Sequence, residues 1–170
     1  MKRRYIKKMN NYHKTDNPHP GDTICIAGAL GDATATPTAE RDYLAHCQYV
    51  HSVTDINDGI DTGIKRIMER NGVSAEIQLE KLPFGNQATE QYGSQLSRLY
   101  QYALHEGHFY ELLVIVNYKH FADLSVEYKK RFGAQLYAVG RIVEGDPTRV
   151  NYIENAFGAM SIGLSLEHFC

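Results

Sequence analysis

Seven residues past the middle of the chain, Tyr110-Glu111-Leu112-Leu113-Val114-Ile115-Val116, form an almost unbroken apolar run. A strand with one wet face alternates apolar and polar residues, whereas a continuous run belongs to a strand covered on both faces. A chain built around such a strand must supply helices to pack on its sheet. At 170 residues it is long enough for one domain with a substantial core.

The rest of the chain supplies those elements. Gly21-Asp22 precedes a first strand, Thr23 to Ala27, and Gly28, Gly31 and Asp32 punctuate the turn after it. Residues Thr38 to His51 read as a helix with Pro37 just before its first turn, and Ser52 to Ile56 as the second strand. A second helix runs from about Asp58 to Arg70, with Ile60, Ile64, Ile67 and Met68 at helical spacing and Asn71-Gly72 as its stop. Ser74 to Leu79 alternates as a half-buried strand. The Pro83-Phe84-Gly85 turn then leads to a long helix, Gln87 to His105.

After the central strand, Lys119 to Arg131 is helical, with Phe121, Leu124 and Tyr128 in period. Gln135 to Val143 is a strand broken by Gly140, and Arg149 to Ile153 a short edge strand. The tail from Asn155 to Cys170 is glycine-punctuated and irregular. Strands alternating with helices predict an α+β (α/β layered) fold, a mixed β-sheet packed with helices. Residues 1–16 read as a polar basic leader and 17–170 as a single domain.

Composition narrows the function classes. With 43% hydrophobic and 22% charged residues and a net charge of -2, the chain reads as a soluble globular protein. Nothing in that balance points to nucleic acid or an anionic membrane. The basic cluster Lys2, Arg3, Arg4, Lys7 and Lys8 reads as a solvated leader more than as a binding arm. Cys25, Cys47 and Cys170 are far apart and lack C-x-x-C spacing, so they read as reduced thiols. No apolar run is long enough for a bilayer, and no apolar stretch follows the leader as in a signal peptide. The expected location is the cytoplasm.

The segment Val53-Thr54-Asp55-Ile56-Asn57-Asp58-Gly59 carries the chemistry. A β-branched run ends in two carboxylates and a glycine just where a helical period begins. Such a junction sits at the rim of a sheet, where open α/β architectures place ligands. Carboxylates at a strand end can hold a metal ion. Asp58 has a second reading, capping the following helix through its side-chain oxygen. Gly59 suits close backbone approach at the helix start. Gly31 and Asp32 suit a loop cap. Glu111, one acid in a buried strand, needs a partner, and a structural pairing alone would account for it.

Six segments occur in one order: Pro20-Gly21-Asp22, Gly28-Ala29-Leu30-Gly31-Asp32, Asp55-Ile56-Asn57-Asp58-Gly59, Tyr110-Glu111-Leu112-Leu113, Val139-Gly140-Arg141-Ile142-Val143-Glu144-Gly145 and Glu167-His168-Phe169. Together they resemble the C-terminal half of thiamine-monophosphate kinase, within the aminoimidazole-ribonucleotide synthetase superfamily. The matching family patterns read P-G-D, G-T-L-G-D, D-I-S-D-G, G-G-E-D-Y-E-L-L, I-G-x-V and G-W-D-H-F.

The resemblance implies an ATP-dependent phosphotransferase working with Mg2+ and ATP on a phosphorylated small molecule, in thiamine biosynthesis. It implies metal ligands at Asp55 and Asp58 and substrate or phosphate contacts at Gly31, Asp32, Asn57 and Gly59. It also implies a separate N-terminal ATP-binding domain, without which this chain is expected to be inactive. The alternative is a stand-alone, non-catalytic module that binds a nucleotide-like or phosphorylated metabolite or a partner protein.

Departures cluster at the site. Asn57 stands where the family has serine, and Glu106-Gly107-His108-Phe109 replaces G-G-E-D. Leu166 stands where the family has an aromatic residue. His105 and His108 read as a solvated helix exit.

Overall fold

A computed structural model describes residues 16–93 and 95–154. The leader through Thr15 and the Asn155–Cys170 tail, with Leu166 and the Glu167-His168-Phe169 segment, therefore lie outside the described residues. The strands are β1 (Thr23–Ala27), β2 (Val50–Asp55), β3 (Ser74–Gln78), β4 (Leu112–Val116), β5 (Leu136–Val143) and β6 (Val150–Ile153). They form one mixed sheet in the order β2-β4-β1-β5-β3-β6. Every pair is antiparallel except β3 with β6. This is the expected α+β fold, and the run at Leu112–Val116 is an inner strand buried at every position.

Helices cover that strand from both sides. Leu113 and Ile115 point into a core with Ile24 and Ile26 of β1 and with Ile60, Ile64, Ile67 and Met68 of helix α2 (Ile60–Asn71). Leu112, Val114 and Val116 point into a second core with Cys25, with Leu44 of α1 (Thr38–His46) and with Leu124 and Tyr128 of α5 (Phe121–Phe132). Beyond β1 the second face opens to solvent, where Arg141 Nε donates to Glu76 Oε1 at 3.0 Å. The half-exposed strand pattern predicted for Ser74 to Leu79 follows from that opening.

Three boundaries differ from the sequence reading. The helix starting at Thr38 ends at His46, not His51, because Val50–Asp55 pairs with β4 and alternates buried and half-buried residues. Strand pairing captures Val50 and His51, which the helical reading had claimed. The long helix is three pieces: α3 (Asn86–Tyr92), α4 (Leu96–Gln101) and a π-helical turn, Tyr102–Glu106. α3 buries Ala88 whereas α4 buries Leu99 and Tyr100. The break falls between Tyr92 and Leu96, where Gly93 N–H donates to Thr89 O at 2.8 Å and Gln95 N–H to Tyr92 O at 2.9 Å. Finally, Gly140 does not break β5. The β1–β5 register shifts between Ile24 and Cys25, a bulge at which a Cβ on Gly140 would lie 1.9 Å from the Glu76 carbonyl oxygen.

One row of the sheet positions the candidate site. Leu112 pairs with Ala27 on one side and with Asp55 on the other. The loops following β1 and β2 therefore leave the same end of the sheet, two strand spacings or about 10 Å apart, with Glu111 between them.

Candidate functional site

The first loop is pinned by one carboxylate. Glu111 Oε1 accepts from Gly31 N–H at 2.9 Å and Oε2 accepts from Ala33 N–H at 2.6 Å. Glu111 is only 2% exposed, and burial pushes its carboxyl above the usual range against the opposing pull of those two amides. The buried acid on the central strand is thus partnered by backbone, holding Gly28 to Ala33 in place. Gly31 has φ +94°, a conformation that side chains rarely adopt. Leu30 adds two more ties, donating to Pro83 O at 2.8 Å and accepting from Gly85 N–H at 2.9 Å.

Asp32 is exposed on this loop and packs against Gly85, where a Cβ would meet its Oδ1 at 2.2 Å. With Ala29, Glu40, Glu111, Lys129 and Tyr137, Asp32 lines a cavity of about 540 Å³. Three carboxylates and one ammonium line that space. Such a lining disfavours phosphate and suits a cationic or neutral group.

The second loop is the Asp55–Gly59 turn. Asn57 and Asp58 are exposed, and Gly59 is buried with φ +92°. A Cβ on Gly59 would lie 2.4 Å from the Leu104 carbonyl oxygen, so the close approach anticipated there is to the π-helical turn. Helix α2 begins after Gly59 with no side-chain cap. The capping reading of Asp58 is therefore not what the structure has, and its carboxylate is free for other work.

Asp55, Asn57, Asp58 and Gly59 share a pocket of about 80 Å³ with Thr62, Gly63 and Arg66. Asp55 Oδ1 accepts from Arg41 Nη1 at 2.6 Å, reaching across from α1. Two carboxylates, an amide oxygen, a hydroxyl and two guanidiniums thus meet at one sheet end. Oxygen donors of this kind fit Mg2+, which is held by one or two carboxylates plus water and phosphate. Arg41 occupies one Asp55 oxygen and leaves the other. Guanidiniums nearby suit phosphate oxygens.

The structure divides the predicted site residues. Asp55, Asn57, Asp58 and Gly59 lie together, while Asp32 opens onto the larger cavity and Gly31 serves the Glu111 clamp. Arg41, Thr62 and Arg66 were missed. Thr62 and Arg66 are four apart and so share a helix face, a signal legible once Asp58 is placed at the start of α2. Arg41 carries no such signal, since only the packing of α1 beside β2 brings it to Asp55. His105 and His108 are exposed as expected, and Phe109 is buried against Tyr102, with ring centroids 5.4 Å apart. An aromatic residue there fills core space that an acid could not occupy.

Among the described residues no helix is long and apolar enough to cross a membrane. No family model matches the chain. Thiamine-monophosphate kinase of Aquifex aeolicus (strain VF5) is 32% identical over 126 aligned positions, covering 58% of this chain and 40% of that protein. The thiamine-monophosphate kinase structure from Stenotrophomonas maltophilia K279a superposes with a TM-score of 0.63 at 23% identity, over 81% of this chain and 52% of that one. AaThiL complexed with AMPPCP and TMP gives a TM-score of 0.59 at 25% identity, over 81% and 49%. The E. coli hydrogenase maturation protein HypE gives 0.63 at 16% identity, over 85% and 50%. The chain spans about half the length of these relatives or less. The resemblance read from the ordered motifs stands, and the fold is one that thiamine-monophosphate kinase and HypE share.

Proposed function

We propose that this chain supplies the substrate- and phosphate-binding part of a thiamine-monophosphate-kinase-like, ATP-dependent phosphotransferase. The observation that carries the reading is the pocket of Asp55, Asn57, Asp58, Thr62 and Arg66, beside a clamped glycine loop at one end of the sheet. In this reading Asp55 and Asp58 hold Mg2+, which neutralises phosphate charge, while Arg66 and Arg41 hold phosphate oxygens. Asn57 and the backbone at Gly59 orient the phosphate, and Gly31 and Asp32 shape the neighbouring wall. An ATP-binding domain is required in addition, so the 170 residues alone transfer no phosphate.

Calorimetry with thiamine monophosphate and Mg2+ tests the proposal. Binding is expected to require Mg2+ and to fall at least ~10-fold in Asp58→Asn, by loss of a charge-assisted contact worth about 1.5–3 kcal/mol. Binding indifferent both to Mg2+ and to that substitution, or ATP-dependent turnover by the purified chain, would refute it.

The cavity of about 540 Å³ favours a second reading, a non-catalytic module for a small metabolite. Metal-independent binding that survives Asp58→Asn and is lost on filling the cavity with Ala33→Phe would select that reading.

A further inference from the structure

The opposite end of the sheet holds a cluster that neither reading uses. We propose that His19, Asp22 and His51 form a binding site for a divalent transition-metal ion of the zinc, cobalt and nickel type. Each residue offers one ligand atom, and the three atoms lie within 4.8 Å of one another. They come from two parts of the chain. Asp22 immediately precedes β1, His19 lies three residues earlier across the Gly21 turn, and His51 is the second residue of β2.

The local backbone is arranged to bring them together. Gly21 has φ +99°, and Asp22 N–H donates to His19 O at 3.0 Å, closing the turn. His51 sits where the β2–β4 register shifts between Val50 and Ser52, so a bulge releases it from the regular ladder. Bulges of this kind re-aim a side chain, and here the ring is delivered to Asp22. Asp22 is 4% exposed, yet its Oδ2 lies 2.6 Å from His51 Nδ1 and accepts from His19 N–H at 2.8 Å. The two imidazoles meet edge to face with centroids 5.1 Å apart. A cavity of about 350 Å³, shared with Asn117, Tyr118 and Lys119, gives open access.

The donor set selects the occupant. Two imidazoles and one carboxylate suit zinc, cobalt, nickel or copper, whereas Mg2+ prefers oxygen alone. The ion takes the place of the proton between His51 Nδ1 and Asp22 Oδ2, and that proton leaves to solvent. His51 Nδ1 and Asp22 Oδ2, 2.6 Å apart, need only separate by a fraction of an ångström to take two positions on one ion, with bonds of about 2.0 Å. His19, whose side chain is 56% exposed, closes the remaining gap by rotation. Water fills the positions facing the cavity. Lys119 opposes a second positive charge there, but its Nζ is directed over the Tyr118 ring, 5.9 Å from the centroid, and the Asp22 carboxylate offsets it.

Titrating Co2+ into the full chain without an affinity tag, while following its visible absorption, tests the site. One ion per chain should bind in the micromolar range, be displaced by Zn2+ and be unaffected by excess Mg2+. His19→Ala removes an exposed ring, so its melting temperature should hold while Co2+ affinity drops by ~10–100-fold or more. Asp22→Asn should do the same to affinity, and His108→Ala should change nothing. Absence of saturable Co2+ and Zn2+ binding, or a His19→Ala chain that binds as the unaltered one does, overturns the proposal. Thiamine monophosphate takes no part in these measurements, so they stand apart from the fate of the phosphate pocket.

Discussion

Glu111 does at the residue scale what a run of turn residues does elsewhere: it fixes a loop. Its two oxygens each take a backbone amide, so Glu111→Gln turns an amide NH2 towards one of those N–H groups. That should cost about 1–3 kcal/mol in urea unfolding. The pH profile discriminates further. Burial raises the folded carboxyl above its unfolded value, so the stability this group contributes is complete below the ordinary glutamate range and is lost as pH rises through the raised value. The unaltered chain should therefore lose stability relative to Glu111→Gln as pH climbs from that range. A difference that is flat with pH would reject the assignment.

At the scale of elements, helix α2 is tied down at both ends by different means. Its start abuts the π-helical turn through Gly59, and its end is a left-handed cap at Gly72 with φ +65°. Between them Asp61, itself buried, accepts from the Tyr152 hydroxyl of β6 and pairs with Lys65 Nζ at 2.9 Å. That contact fastens the parallel edge strand to the helix that positions Arg66. Tyr152→Phe should cost about 1–3 kcal/mol by leaving Asp61 short of a donor. Hydrogen exchange should quicken in Val150–Ile153 before it does in β4. Equal acceleration across both strands would show that β6 is not a separate unit.

For the whole molecule, the sheet is covered twice over β2, β4 and β1 and once over the rest. Stability should follow that distribution. Ile115→Ala, in the doubly covered strand with no exposed surface, is expected to cost about 2–5 kcal/mol. Asn151→Ala, on the solvent face of β6, should stay within about 0.5 kcal/mol. Urea titration of both variants checks the contrast, and similar losses would contradict the layering. The same layering places the two loops of the candidate site at one sheet end and the His19, Asp22 and His51 cluster at the other.

Local chemistry made the strands, the end of α2 and the Asp55–Gly59 junction legible in the sequence. β-Branched runs, glycine stops and helical apolar spacing act over a few residues and survive in any context. Cooperative packing decided the rest. Strand pairing with β4 took Val50 and His51 from the helix before them, and the break between Tyr92 and Leu96 divided the segment after Gly85 into short helices. Arg41 meeting Asp55, and Glu111 reaching Gly31 and Ala33 across nearly eighty residues of chain, are contacts between elements. The sequence by itself determined which residues could bear charge at the rim of a sheet. Only the tertiary structure decided which of them share a pocket, because strand order and helix docking set distances that no sequence spacing encodes.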